Sequence, residues 1–147
     1  MAGIENVHLT QIENYRFEVV FNSSQAPFIV DEAPPLGDGV GPTPVQLLTA
    51  AVANCLSASI LFALRKFKSD PGTVSADAYA GVGRNTENLL RVQKITVNLK
   101  LGKSAESFEH LDRVLAQFEK YCTVTQSINQ AIAVEVSVSD VNGKKLK

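Results

Sequence analysis

The chain has 147 residues, 45% hydrophobic and 20% charged, with 14 Lys and Arg against 15 Asp and Glu and a formal net charge of −1. That length fits one domain, residues 1–147, able to bury roughly two-thirds of its unfolded surface. The balanced charge leaves no basic field for nucleic acid or an anionic membrane surface, and the N-terminus Met1-Ala2-Gly3-Ile4-Glu5-Asn6-Val7-His8 lacks the basic-then-apolar pattern of a secretory signal, so the cytosol is the expected compartment.

Tyr15 to Phe21 alternates apolar or aromatic residues with charged ones, which suits a half-buried strand. Asn22-Ser23-Ser24 reads as a turn and Pro27-Phe28-Ile29-Val30 as the second strand of a hairpin. Asp31 to Pro44 carries four prolines and three glycines, and reads as a loop long enough to serve function. Thr43-Pro44-Val45-Gln46 then signals a helix start: Thr43 as cap, Pro44 at the first helical position and Gln46 reaching back in a capping box.

This helix is expected to run to about Lys68 and to end at Asp70-Pro71-Gly72. It is apolar on most sides from Leu47 to Leu64, which places it at the centre of the structure. Asn54, Ser57 and Ser59 and its many small residues argue against a membrane span. Val74 to Val82 reads as a strand, Gly83 to Asn88 as a hairpin turn, and Leu90 to Leu101 as one long strand. The apolar set of that strand switches near Lys94, where a bulge would account for it. Ser104 opens a further helix with Phe108, Leu111, Leu115 and Phe118 as its buried stripe. Cys122 to Ala131 reads as a short helix and Val134, Val136 and Val138 as a last strand, and the basic end Lys144-Lys145-Leu146-Lys147 as a frayed, solvated tail. The order of elements is α+β with mainly antiparallel pairing.

Cys55 and Cys122 are the two cysteines, 67 positions apart. Two readings stand side by side. Free cysteine is often a small, buried, apolar filler. Alternatively both serve thiol chemistry, in a compartment where a transient disulfide is more expected than a structural one. If Cys122 opens its helix, unpaired backbone N–H groups favour its thiolate, whereas Cys55, about three turns into a helix, would need a nearby cation. His8 and His110 stand at no zinc-like spacing from the cysteines, so no metal is expected. No Gly-rich phosphate loop or nucleophile elbow is present.

The stretch Gly41-Pro42-Thr43-Pro44-Val45-Gln46-Leu47-Leu48-Thr49-Ala50-Ala51 leading to Cys55, together with Glu119-Lys120-Tyr121-Cys122-Thr123-Val124-Thr125, resembles the OsmC/Ohr superfamily of osmotically induced and organic-hydroperoxide-resistance proteins. The Lys-Tyr-Cys form is most similar to the OsmC-like branch. The resemblance implies an OsmC-like fold, a mainly antiparallel sheet wrapped around a long central helix, and an intertwined homodimer with two sites at its interface. It implies thiol-dependent reduction of organic hydroperoxides without a cofactor, Cys55 as the peroxidatic residue, Cys122 as the resolving one, and a cellular dithiol as reductant.

The family also pairs its reactive thiol with an arginine and with an acidic residue near the start of the central helix. Arg16 is the first candidate for the arginine, ahead of Arg84 and Arg91, and could hold a peroxide oxygen through paired donors. The positions of the acid are Val45 and Gln46 here, and Gln46 offers hydrogen bonds to substrate but no charge. Tyr121 and Phe62 read as core residues, although an apolar funnel would suit an alkyl hydroperoxide. The missing carboxylate motivates an alternative, a small-molecule-binding or stress-associated structural dimer with the same fold and no turnover. A thiol used for other acyl or disulfide chemistry has no dedicated motif.

Overall fold

Residues 3–22 and 24–147 are described by the computed structural model. Met1, Ala2 and Ser23 lie outside the described residues, so the first two positions of the N-terminal reading and the middle of the turn expected at Asn22-Ser23-Ser24 go undescribed. Beside that turn, the Gln25 N–H donates to the Asn22 carbonyl at 3.3 Å. The chain divides into two units, one ending at Leu47 and one from Leu48 to Lys147.

The first unit is an antiparallel meander of β1 (His8–Glu13), β2 (Arg16–Val20) and β3 (Phe28–Val30). One side carries Phe17, Val19, Phe28 and Val30, with Val19 and Val30 buried and Phe21 against Phe28 at 5.5 Å between ring centres. β1 has no counterpart in the sequence reading, for a physical reason. All six of its residues are exposed, and its pairing with β2 slips between Gln11 and Glu13, so Leu9 and Ile12 keep no period of two. The Pro- and Gly-rich loop after β3 is organised by a buried carboxylate. Asp31 Oδ1 accepts from the Glu32 N–H at 2.8 Å, and Oδ2 accepts from the Asp38 and Val40 N–H groups at 3.2 Å each. Two glycines are needed there by close approach: a Cβ at Gly37 would collide with the Glu32 carbonyl oxygen, and one at Gly41 with that of Ile29.

Helix α1 (Pro44–Lys66) opens with the expected capping box. Gln46 Oε1 accepts from the Thr43 N–H at 2.8 Å, and Thr43 Oγ1 accepts from the Gln46 N–H at 3.2 Å. It stops two residues earlier than expected, in a Schellman motif. The Ser69 N–H reaches the Leu64 carbonyl, the Lys68 N–H reaches that of Arg65, and Lys68 takes the left-handed conformation at φ 55°. The signal was masked because lysine stands where glycine is usual.

In the second unit β4 (Ser75–Arg84), β5 (Leu90–Lys100) and β6 (Ala133–Ser139) form one sheet in that order. β4 and β5 make the expected hairpin. Its bulge falls at the predicted place, since Gly81 faces Lys94 and Val82 faces Val92, leaving Gln93 as the extra residue. β6, however, joins β5 in parallel, so the sheets are mainly but not wholly antiparallel. A parallel partner needs a crossover, which the helical segments between the two strands supply.

The inner face of that sheet carries Ile95, Val97 and Leu99 of β5 and Val138 of β6, and it packs against Val52, Leu56, Ile60, Ala63 and Leu64 of α1. The outer face is polar: Lys94 pairs with Glu135 at 2.7 Å, and Ser137 Oγ donates to Asn98 Oδ1 at 2.7 Å. α1 is long and apolar enough to cross a membrane, with a mean hydropathy of 2.0 over its best 18-residue stretch, but its buried stripe is spent on this core.

The single helix expected from Ser104 is broken. A 3-10 turn at Ala105–Ser107 is followed by His110 in the left-handed region (φ 55°), then α2 (Leu111–Gln117), a second 3-10 turn (Phe118–Tyr121) and α3 (Thr123–Ile128). The stripe survives the break, with Phe108, Leu115 and Phe118 buried. Asp140 contributes to the break by holding the Ala105 N–H at 3.0 Å from after β6. The tail is also not frayed. Leu146 and Lys147 donate backbone N–H groups to the Val138 carbonyl at 2.8 and 3.2 Å, and Lys147 Nζ reaches Glu119 at 3.1 Å. The tail therefore covers backbone of β6 that would otherwise be an open edge.

Two predictions follow from this packing. Leu56→Ala should cost about 2–5 kcal/mol, read from the urea midpoint, because the site is fully enclosed and cannot collapse freely. Burial works against the charge of Asp140, but the N–H groups of Ala105, Lys144 and Asn142 outweigh it and lower its pKa. A carboxylate with a lowered folded-state pKa stabilises the fold above its unfolded value and loses that contribution as pH falls through the folded one. Asp140→Asn should therefore unfold at lower urea than wild type at pH 7, with the gap closing below about pH 4; a gap that holds constant at every pH would contradict this assignment.

Candidate functional site

Helical spacing builds the site. On α1 the residues Cys55, Ser59, Phe62 and Lys66 follow one another at intervals of four, three and four, so they share one side of the helix. This side borders the buried stripe, which leaves Cys55 half-buried and Phe62 half-exposed. Tyr121, from the 3-10 turn that follows α2, closes the opposite wall. Cys55, Ala58, Ser59, Phe62 and Tyr121 together line a cleft of about 410 Å³.

Phe62 and Tyr121 meet edge to face with ring centres 5.7 Å apart. They are not the core residues that their type suggested: 50% and 47% of their surface remains accessible. Lys66 Nζ lies over both rings, 5.0 Å from the centre of Phe62 and 4.9 Å from that of Tyr121. Such a cation–π arrangement holds the ammonium at the rim without neutralising it.

Cys122 stands behind this cleft, fully buried, in the residue that caps α3. Its Sγ accepts the Thr125 N–H at 3.4 Å and donates to Thr125 Oγ1 at 3.0 Å. The expected helix start is present, but the expected gain in thiolate is not. Burial pushes the Cys122 thiol pKa up, and a side-chain hydrogen bond with Cys55 pushes it further; the hydroxyl and N–H of Thr125 pull it down by less. Taking a sulfur out of water costs the anion more than one long N–H contact and one hydroxyl return. The two thiols are thus neighbours, and both are unbonded thiols, not a disulfide.

Arg16 and Gln46 belong to the first unit. Arg16 opens β2 and is held by three carboxylates: Glu13 through Nη1 at 2.5 Å, Asp38 through Nη2 at 3.0 Å, and Asp31 at 3.8 Å from Nε. Its acidic partners therefore come from a strand and a loop instead of the helix start. Burial also opposes the charge of Asp31, but the N–H groups of Val40, Glu32 and Asp38, with Arg16, lower its pKa. Nε of Arg16 is buried and makes no hydrogen bond among the described residues. The carboxamide oxygen of Gln46 is used in the capping box. Arg84 and Arg91 donate to the carbonyls of Asn88 and Leu90 in their own hairpin.

Among the described residues no group of three or more His, Cys, Asp or Glu side chains could hold a metal ion. His8 bonds Thr10 at 3.2 Å and His110 packs on Phe67. Sequence reasoning missed Lys66 and Thr125. Both had a signal: Lys66 continues the helical run from Cys55, and Thr125 stands three residues after a cysteine at a helix start, the place of a capping partner.

Known proteins agree with this architecture. The chain is similar to an OsmC-like protein from Mycoplasma pneumoniae at 14% identity and a TM-score of 0.79, covering 96% of this chain and 99% of that one. It is similar to an organic hydroperoxide resistance protein from Elizabethkingia anophelis at 15% identity and 0.74, covering 95% and 99%. It is similar to another from Bacillus subtilis at 11% identity and 0.70, covering 93% and 98%. No curated protein sequence matches it. Residues 37–137 match the family of OsmC-like proteins, a span that includes α1, the cleft and both cysteines, and the chain belongs to that family.

Proposed function

We propose that the protein is a thiol-dependent peroxidase for organic hydroperoxides. One observation carries the reading: the two thiols are interacting neighbours, and one of them opens onto an apolar cleft lined by aromatic rings. Cys55 sulfur attacks the distal peroxide oxygen, the O–O bond breaks, and an alcohol leaves with a proton. Cys55 becomes a sulfenic acid. Cys122 then attacks that sulfur, the S–O bond breaks, and water leaves as the disulfide forms. A cellular dithiol returns the pair to thiols by exchange.

The fold shared with two organic hydroperoxide resistance proteins supports this reading. In this reading the chemistry of a guanidinium with paired donors and of an amide NH2 assigns Arg16 to peroxide binding and Gln46 to substrate binding. Lys66 adds a positive rim to the cleft, suited to the anionic end of an amphipathic hydroperoxide. The same reading makes residues 1–147 one domain of a homodimer working in the cytosol, where the thiols stay reduced between turnovers.

A second reading, ligand binding without turnover, is favoured by one observation, the three carboxylates that already occupy Arg16. Two measurements decide between them. Cys55→Ser should abolish dithiol-dependent turnover of cumene hydroperoxide, and Cys122→Ser should stop the reaction after one equivalent; two thiols that survive excess peroxide unchanged would establish the binding reading. Lys66→Met should raise KM roughly threefold for a carboxylate-bearing hydroperoxide and leave it unchanged for an uncharged one, as fits a partly exposed charge contact.

A further inference from the structure

The hydroxyl of Thr125 has no part in the peroxide step, yet it is buried and committed to a single sulfur. Thr125 retains 5% of its surface and Cys122 none, and among the described residues Thr125 supplies both a hydroxyl and an N–H as hydrogen-bond partners for that thiol, with Cys55 as its neighbour. From this geometry we infer that Thr125 is a positioning residue for disulfide closure, holding the Cys122 sulfur in place and stabilising its anion as it attacks. The inference rests on the peroxidase reading above and names a residue that this reading does not use.

The chemistry needs such a group. For closure, Cys122 must give up its proton and bond to the Cys55 sulfur. The hydroxide leaving Cys55 takes a proton, so that thiol and sulfenic acid become disulfide and water. The sulfur of Cys122 is oxidised and that of Cys55 reduced, and no outside oxidant is involved. Before the step, the S–H donates to Thr125 Oγ1 at 3.0 Å. A hydroxyl is both acceptor and donor and turns freely, so once the proton leaves, the same oxygen can donate to the sulfur anion. The Thr125 N–H already donates to it at 3.4 Å. Burial makes the anion costly, and these two donors, both from Thr125, are the protein's answer within reach. Threonine takes no net proton; it changes the direction of its own O–H.

Valine matches the shape of threonine without the hydroxyl, and serine keeps the hydroxyl without the methyl. Reduced protein is mixed with one equivalent of cumene hydroperoxide and quenched at intervals with dimedone, and the Cys55 adduct and the disulfide are counted by mass spectrometry. In Thr125→Val, sulfenic acid should form at the wild-type rate while closure slows roughly tenfold, the size of one lost hydrogen bond to a charged group. Thr125→Ser should close within about twofold of wild type. Equal closure in wild type and Thr125→Val overturns the inference, and so does equal slowing in both variants, which would mark packing alone.

A parallel series with diamide drives the same closure without peroxide, through an adduct on Cys55 displaced by Cys122. The ratio of wild type to Thr125→Val there decides the role of Thr125 even if no sulfenic acid forms in the first series, a result that would instead refute the peroxidase reading.

Discussion

The packing of α1 on the inner face of β5 and β6 decides the second unit. Val52, Leu56 and Ile60 form a stripe that must be buried, and their burial turns the rest of the helix by default. Cys55 lies just off that stripe, so it is half-buried and reaches both the core and the cleft. The positions on either side meet opposite environments, Leu56 fully buried and Asn54 exposed. The aromatic rim follows from the same rotation: Phe62 and Lys66 are carried outward on the side where Tyr121 arrives.

The second thiol shows two opposing effects with a clear winner. A residue at the start of a helix meets backbone N–H groups that favour a negative charge. Cys122 has that position and one such contact, yet its ordinary thiol form is the favoured one because the sulfur is fully buried beside another thiol. The environments of the pair are therefore asymmetric: Cys55 lines the cleft and Cys122 is a fully buried, neutral thiol. Electrostatics in the first unit follow the opposite pattern. Asp31 is equally buried but collects three N–H donors and a guanidinium, and stays ionised. Three ordered N–H donors and a guanidinium offset desolvation at Asp31, where one long N–H contact and one hydroxyl do not at Cys122.

Val45 and Gln46 at the start of α1 carry no charge, and the carboxylates that hold Arg16 come from β1 and the loop after β3. Asp31 is fixed by its own loop, while Asp38 and Glu13 are exposed carboxylates whose pairing with Arg16 is worth little individually. Arg16 is thus faced by one buried carboxylate through Nε and by two exposed ones through its paired Nη donors.

Much of this was legible in the residues themselves. The capping box at Thr43, the long apolar helix, the β4–β5 hairpin with its bulge beside Lys94, and the two cysteine stretches are local patterns, and local hydrogen bonding and side-chain period determine them. Other features are settled only by contacts distant in sequence. β1 owes its existence to pairing, not to its own exposed side chains, and the parallel seating of β6 depends on a crossover. The break before α2 involves a carboxylate that lies after the last strand, and the basic tail is ordered because β6 has backbone to share. The sequence by itself determined which residues could do chemistry. Tertiary structure decided that Cys122 meets Cys55 and stays protonated, because adjacency and desolvation are properties of the packed interior and leave no trace in spacing along the chain.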